Sequence, residues 1–327
     1  MCAALALLAC AACGGSEQPS SETRAQPSPR VASPLSGAVA FRICAGDESP
    51  IPQFDLVAAF DSLWVACRGQ GHVLRIDPET GEVHARIPAR GVVSLAADDQ
   101  SVWAVYRELG TVYRIDPSTD RVTSTVKLLR DTPYIWSQAG SVWVGVPGNV
   151  VGRIAPARNE LIETIDIGDG VSDMVATEDG LLGICHRDST LWRIDPERGE
   201  ATLLGEVPGD TPERLALWGD TLWAAGRGVD LMQLDPATAK AKRTIEVGTG
   251  TIDVASTDDA VWVAVALPEA DQQGLPQLER LVRVDPASGK IADSVTPNGP
   301  VFVTGLATEG GRLWVADTVN GVLLRLG

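Results

Sequence analysis

Six tryptophans divide this chain into nearly equal lengths: Trp64, Trp103, Trp143, Trp223, Trp262 and Trp314. Leu182 stands where a seventh is due. The seven positions are 39, 40, 39, 41, 39 and 52 residues apart. A period of about 40 residues on one large apolar position means an array of small units, each burying its face against a neighbour. Nine of the chain's aromatic residues are Trp, against three Tyr and four Phe, as expected of one repeated packing position.

A second word follows in step. It reads Arg75-Ile76-Asp77-Pro78, Arg114-Ile115-Asp116-Pro117, Arg193-Ile194-Asp195-Pro196 and Arg283-Val284-Asp285-Pro286, with degenerate copies at Arg153-Ile154-Ala155-Pro156 and Gln233-Leu234-Asp235-Pro236. The first unit predicts one blade. Phe54–Phe60 is an apolar strand A, Ser62–Cys67 a β-rich strand B and Val73–Ile76 strand C. Asp77-Pro78-Glu79-Thr80-Gly81 is a turn: Pro78 presets φ, Asp77 bonds the backbone two residues on, and Gly81 tolerates positive φ. Glu82–Pro88 alternates Val83, Ala85 and Ile87 with polar residues, as a half-exposed outer strand D does. Seven such units predict an all-β fold, a seven-bladed β-propeller of four-stranded antiparallel blades.

The last unit supplies strands A (Val301–Thr308), B (Arg312–Asp317) and C (Gly321–Leu326), then the chain stops. Its missing D strand is found at the other end, where residues 37–45 align with residues 81–89. The N-terminal strand Val39–Cys44 is therefore expected to complete the last blade. Closure removes exposed sheet edges.

Residues 1–12 hold an apolar run too short for a bilayer span, which needs about 20 residues, and read as an export signal. The small residues before Cys13 resemble the lipobox of bacterial lipoproteins, with Cys10 the rival acceptor. No Lys or Arg precedes the run, a departure from that pattern. Residues 13–37, rich in Ser, Pro, Gly, Ala and Gln, read as a disordered tether. Residues 38–327 are the propeller. Lipid on Cys13 would anchor the protein to a membrane, facing outside the cytoplasm.

Net charge is −16. The first 37 residues carry two Glu and two Arg, so the excess lies on the repeats. An acidic body repels phosphate backbones, which excludes general nucleic-acid binding.

The pattern Ser-Val-Trp-Val-Ala followed by Arg-Ile-Asp-Pro-x-Thr-Gly resembles the YVTN-type and virginiamycin B lyase-like seven-bladed propellers of bacteria, over residues 38–327. For the lyase, the resemblance implies a His base and an acidic pair holding Mg²⁺. The histidines here are His72, His84 and His186, and none stands in a matching motif, so no catalytic residue is carried over.

Propellers bind at the mouth of the central channel. Nine residues before each repeat position stand Asp55, Ser94, Tyr134, Asp173, Arg214, Asp253 and Gly305. The following position is apolar in every blade: Leu56, Leu95, Ile135, Met174, Leu215, Val254 and Leu306. A varied polar ring above a uniform apolar layer is what an asymmetric ligand requires. Asp55, Asp173 and Asp253 would suit a divalent cation, or act as loop caps at a solvated mouth. No other cofactor is expected. Four residues after the repeat position stand Arg68, Arg107, Pro147, His186, Arg227, Ala266 and Thr318. Three Arg and a His on one face would receive a carboxylate or phosphate, or pair with acidic neighbours. The gap from Trp262 to Asp285 exceeds that in other blades. The extra segment, about Leu267–Leu278 with Glu269, Asp271, Gln272 and Gln273, lies on the same face as a lid or a neutral insertion.

Cys67 and Cys185 occupy equivalent positions three blades apart, too far to bridge. Cys44 ends the closing strand beside Cys67, so a Cys44–Cys67 disulfide is expected, with three buried thiols the alternative. No zinc spacing, nucleophile elbow or phosphate loop stands in the required context. Two functions follow. The first is an anchored extracytoplasmic module binding a small molecule, glycan or envelope protein through one channel face. The second is a lyase-like or hydrolytic metalloenzyme using the Asp ring and His186.

Overall fold

In the computed structural model, which describes residues 26–27, 30–44, 55–209, 211–228, 230–248, 250–268, 276–317 and 319–327, each repeat folds as an antiparallel sheet. The first blade is built of A (Leu56–Ala59), B (Ser62–Cys67), C (His72–Ile76) and D (Glu82–Pro88), in that spatial order. Six more sheets repeat the plan, making an all-β, seven-bladed propeller. Strand D of blade 1 alternates as its sequence requires. Val83 and Ile87 are buried while His84, Arg86 and Pro88 face solvent.

The ring closes with the chain's own beginning. Val39–Arg42 pairs antiparallel with Val322–Leu326, in the register Val39–Arg325 to Arg42–Val322. Phe41 is fully buried and stacks at a tilt against Trp314, their centroids 6.1 Å apart. It also lies across Gly81 of blade 1. Gly81 has φ of 73°, and a Cβ there would overlap the Phe41 ring. Cys44 and Cys67 form a disulfide with Cα atoms 6.0 Å apart, tying the closing strand to strand B of blade 1. Cys185 is a buried free thiol, pushed up to about 12 by burial and the nearby Asp188 carboxylate.

The boundary between tether and propeller lies earlier than residue 37. Arg30–Val31 adds a short strand outside Val39–Arg42, and Leu35 is only 1% exposed. Asn298 donates its N–H to the Pro34 carbonyl at 2.6 Å. Val31 and Leu35 are the large apolar residues of this Ser/Pro-rich stretch, and both join the core between blades 6 and 7. The signal segment and Cys13 lie outside the described residues.

The repeat Trp is an interface residue rather than the centre of its own blade. Trp64 packs with Val92, Leu95 and Val102 of blade 2, and Trp143 with Val171, Met174 and Leu181 of blade 4. Leu182 does the same toward Leu215 and Leu222 of blade 5. The Arg of the second word then locks the pair. The Arg75 guanidinium lies 5.5 Å from the Trp64 ring. Its Nε donates to the Ser62 hydroxyl at 2.9 Å, and its Nη1 reaches the Pro117 carbonyl in the next blade's turn at 2.7 Å. Arg114 repeats the pattern with Trp103, Ser101 and Pro156, and Arg325 spans from Trp314 to the Pro78 carbonyl. Arg193 reaches Pro236, but Gly180 replaces the serine and its Nε has no partner. Blade 7 has no Asp-Pro turn, because its D strand comes from the N-terminus. Arg283 therefore has nothing to grasp there and pairs with Asp259 at 2.6 Å. Trp262 is accordingly partly exposed, whereas Trp64, Trp103, Trp143, Trp223 and Trp314 are fully buried.

The Asp of the second word shapes the turn as expected. Asp77 accepts the N–H of Glu79 at 2.8 Å and of Thr80 at 2.7 Å. Arg75→Ala should cost about 2 kcal/mol in urea unfolding, from the contacts its guanidinium makes across blades to the Pro117 carbonyl and the Asp120 carboxylate and from one cation–π contact. Arg75→Lys should recover less than half, since an ammonium cannot reach Ser62, Trp64 and Pro117 together. Full recovery by Lys would show that charge alone matters.

Candidate functional site

One cavity of about 1030 Å³ opens at the channel mouth. All seven variable ring positions line it: Asp55, Ser94, Tyr134, Asp173, Arg214, Asp253 and Gly305. They lie at the starts of the seven innermost strands. The apolar layer beneath holds them in place: Leu56, Leu95, Ile135, Met174, Leu215 and Val254 are each buried.

A second ring lies one residue earlier. Val93, Pro133, Ser172, Glu213, Ile252 and Thr304 also line the cavity. Two consecutive residues of a regular strand face opposite ways. Here the A–B register slips between Val92 and Ser94, Val171 and Asp173, Pro212 and Arg214, Thr251 and Asp253, and Val303 and Gly305. Each slip is a bulge of one residue, which re-aims the local side chains. The bulge brings both residues to the mouth.

The three carboxylates bridge blades. Asp55 accepts the Leu56 N–H at 2.9 Å and the Leu95 N–H of blade 2 at 2.7 Å. Asp173 accepts those of Met174 and of Leu215 in blade 5, both at 2.8 Å. Asp253 accepts those of Val254 at 2.9 Å and of Leu306 in blade 7 at 2.8 Å. This is a capping role, extended to the neighbouring blade.

The cation among them is the protein's own. Arg214 Nε lies 3.6 Å from Asp253, and its guanidinium lies 5.8 Å from the Tyr134 ring. Its Nη1 reaches back to the Ser172 carbonyl at 3.4 Å. Burial opposes its charge, but Asp253 and Asp173 outweigh that and hold it protonated. Burial raises Asp253 to about 6 against the pull of Arg214 and the Leu306 N–H. Burial likewise raises Asp55 and Asp173 above the usual carboxylate value. Among the described residues, no three His, Cys, Asp or Glu side chains are grouped to hold a metal ion. The carboxylate oxygens are directed to backbone N–H groups and Arg214 instead.

An aromatic wall stands on one side. Tyr134 and Trp136 lie 5.8 Å apart between centroids, and the Trp136 indole N–H donates to Asp173 at 3.1 Å. Trp136 was not apparent from the ring position. Its sequence signal lies seven residues before the repeat Trp, where other blades carry Val57, Ala96, Val175, Ala216, Ala255 and Ala307.

The second predicted ring divides. Arg107 and Arg227 line the cavity rim, Arg107 paired with Asp131 at 3.6 Å and Arg227 with Glu213 at 3.8 Å. Arg68 instead bonds Glu108 and lines a separate cleft. His186 Nδ1 meets the Gly170 carbonyl at 2.5 Å and is not among the cavity-lining residues. Leu267, Pro268 and Pro276, the described ends of the blade-6 insertion, also line the cavity. Glu269, Asp271, Gln272, Gln273 and Thr318 lie outside the described residues.

The fold and the mouth together define the class: a seven-bladed β-propeller with an asymmetric, mixed-charge cavity on its channel axis. No family model matches the sequence. No curated protein matches it either. Among solved structures, the chain is similar to the WD40 β-propeller domain of Doa1, with TM-score 0.68 and 13% identity, covering 89% of this chain and 97% of that one. It is also similar to a chain of Kuenenia stuttgartiensis hydrazine synthase, with TM-score 0.63 and 13% identity, covering 84% and 95%. At that identity the likeness is one of fold.

Proposed function

We propose that this protein is an exported, lipid-anchored propeller whose channel-mouth cavity binds a small molecule, a glycan or a side chain of an envelope partner. One observation carries the binding reading. The seven positions nine residues before the repeat position, which differ between blades, all converge on one cavity, while the layer below them is uniformly apolar. A repeat fold does not need Tyr134, Trp136, Arg214 and Glu213 to differ from their counterparts; an asymmetric ligand does. Concave cavities with a few placed polar groups are the usual form of such sites. The cavity offers an aromatic wall, hydrogen-bond acceptors and two rim arginines. That set suits a polar ligand with one flat face.

The anchor rests on the Cys13 sequence, and the family reading on the Trp and Arg-Ile-Asp-Pro words that resemble the YVTN and virginiamycin B lyase-like propellers. The lyase or hydrolase alternative needs a base in the cavity. His186 is not placed there, so the binding reading is preferred.

A thermal-shift screen of glycans and small polar metabolites tests it, since a ligand of the native state raises Tm. A compound at 100 times its Kd should add about 2.7 kcal/mol of stability to the wild type. The shift should vanish in Trp136→Ala and shrink in Glu213→Gln. Equal shifts in all three proteins would move the site elsewhere.

A further inference from the structure

The two sides of the channel mouth differ in kind. Blade 3 supplies Tyr134 and Trp136, and blades 4 and 5 supply Asp173, Glu213 and Arg214. Across the ring, blades 6 and 7 and the described ends of the blade-6 insertion supply Ile252, Val303, Leu267, Pro268 and Pro276. One side is thus largely apolar, and the other is aromatic and charged.

The charge at the mouth is unbalanced. Asp55, Asp173, Glu213 and Asp253 line the cavity against the guanidinium groups of Arg107, Arg214 and Arg227. Arg107 is paired with a further carboxylate, Asp131 at 3.6 Å. Burial raises Asp55, Asp173 and Asp253 although Arg214 lies among them, so the floor is short of positive charge. In sequence, residues 45–54 precede Asp55 and residues 269–275 follow Pro268. They contain Asp47, Glu48, Glu269 and Asp271 and no Lys or Arg, so they add no cation.

Two groups at the mouth are suited to receive one. Glu213 is paired with Arg227 at 3.8 Å, beyond hydrogen-bonding range, and that guanidinium is 73% exposed. Trp136 is half-buried in the cavity wall. Arg214 already covers Tyr134, whereas among the described residues no Lys or Arg lies over the Trp136 ring. The same contact, from blade 5 to blade 3, shows that one ligand can touch both blades.

We propose that the channel mouth takes a small organic cation, recognised by the Glu213 carboxylate and the Trp136 face, with its hydrocarbon part toward Ile252 and Val303. The assignment rests on the mouth being the binding site. A carboxylate makes charge-assisted hydrogen bonds to ammonium or guanidinium N–H groups. An indole face attracts a cation within about 6 Å of its centroid. An anionic ligand would face the carboxylates instead.

Isothermal titration of the full chain at neutral pH with three matched probes tests the assignment: phenylpropylamine, phenylpropanol and phenylpropionate. The protonated amine should bind about tenfold more tightly than the alcohol, and the carboxylate most weakly. Glu213→Gln should weaken the amine about fivefold and leave the alcohol unchanged. Trp136→Ala should weaken both. Glu160→Gln, on the outer strand of blade 3, should change nothing. Equal binding of amine and alcohol, or tightest binding of the carboxylate, would overturn the cation assignment; loss of that binding in Trp136→Ala would still keep the mouth as the site. Amine binding unchanged in Glu213→Gln and Trp136→Ala would place it off the mouth and also overturn the assignment. So would a lack of binding by all three probes, in which case the glycan screen judges the mouth itself. Thermal melts of the variants check that the fold is intact.

Discussion

Removing residues 1–44 should abolish cooperative folding. The deletion takes away the outer strand of blade 7 and the Cys44–Cys67 bridge. Leu35, Phe41 and Ile43, all nearly inaccessible, would leave the core. Full burial of a large apolar side chain is worth about 1.5–3 kcal/mol. Three of them amount to a loss comparable with the about 5–15 kcal/mol that holds a typical domain together. Val322–Leu326 would also become an open edge, which invites pairing between molecules. Circular dichroism should show a broad, early melt, and size-exclusion chromatography should show aggregates. A deletion of residues 1–25 alone should melt like the wild type. A sharp, unshifted transition after removal of residues 1–44 would mean that the ring does not need its closing strand.

Arg214→Ala should cost about 3 kcal/mol at pH 8, the lower end for one partner lost from a buried pair. The discount reflects solvent at the site: the Arg214 and Asp253 side chains are 25% and 13% exposed. The effect should depend on pH. Burial holds Asp253 at about 6, above its ordinary 3.8. A carboxyl raised on folding binds its proton more tightly in the native state. Its contribution to stability is full below about pH 4, falls as pH rises through about 6, and is constant above. Without Arg214 nothing cationic opposes burial, and the carboxyls of Asp253 and Asp173 rise further. The decline then continues above pH 6. The gap between variant and wild type should therefore be small near pH 4.5 and largest near pH 8, read from urea midpoints at each pH. A gap independent of pH would show that Arg214 acts by packing alone.

These results turn on features legible in the sequence to different depths. The tryptophan period predicted the blades, and the alignment of residues 37–45 with 81–89 predicted the closure. Both depend on contacts within one unit or on repetition of a word. The role of Arg75, Arg114 and Arg325 was hidden, because their partners are turn carbonyls in the next blade. Leu35 was hidden for a similar reason, as one apolar residue in a Ser/Pro-rich stretch gives no period. At the mouth, counting from the tryptophan found the ring from Asp55 to Gly305. It missed Glu213 and the rest of the second ring, since a one-residue bulge breaks the alternation by which faces are read. It grouped Arg68 and His186 with Arg107 and Arg227, although the turns after strand B differ in shape. Arg107 begins a short 3₁₀ turn ending at Leu109, whereas Arg68 enters a tight turn at Gly71. In the sequence the Asp ring fits a cation site and a set of caps equally well. The carboxylates cap, and the charge they face is Arg214.

A ligand seated where the repeat stops repeating should shield the channel mouth from solvent exchange. Hydrogen–deuterium exchange, with and without a compound that raises the wild-type Tm, tests it most directly. Protection is expected in peptides covering residues 93–95, 133–136, 172–174, 213–215, 252–254 and 304–306, and in the flanks of the blade-6 insertion. Protection confined to the outer strands, such as Glu160–Asp166 or Glu200–Glu206, with the channel mouth unchanged, would contradict it.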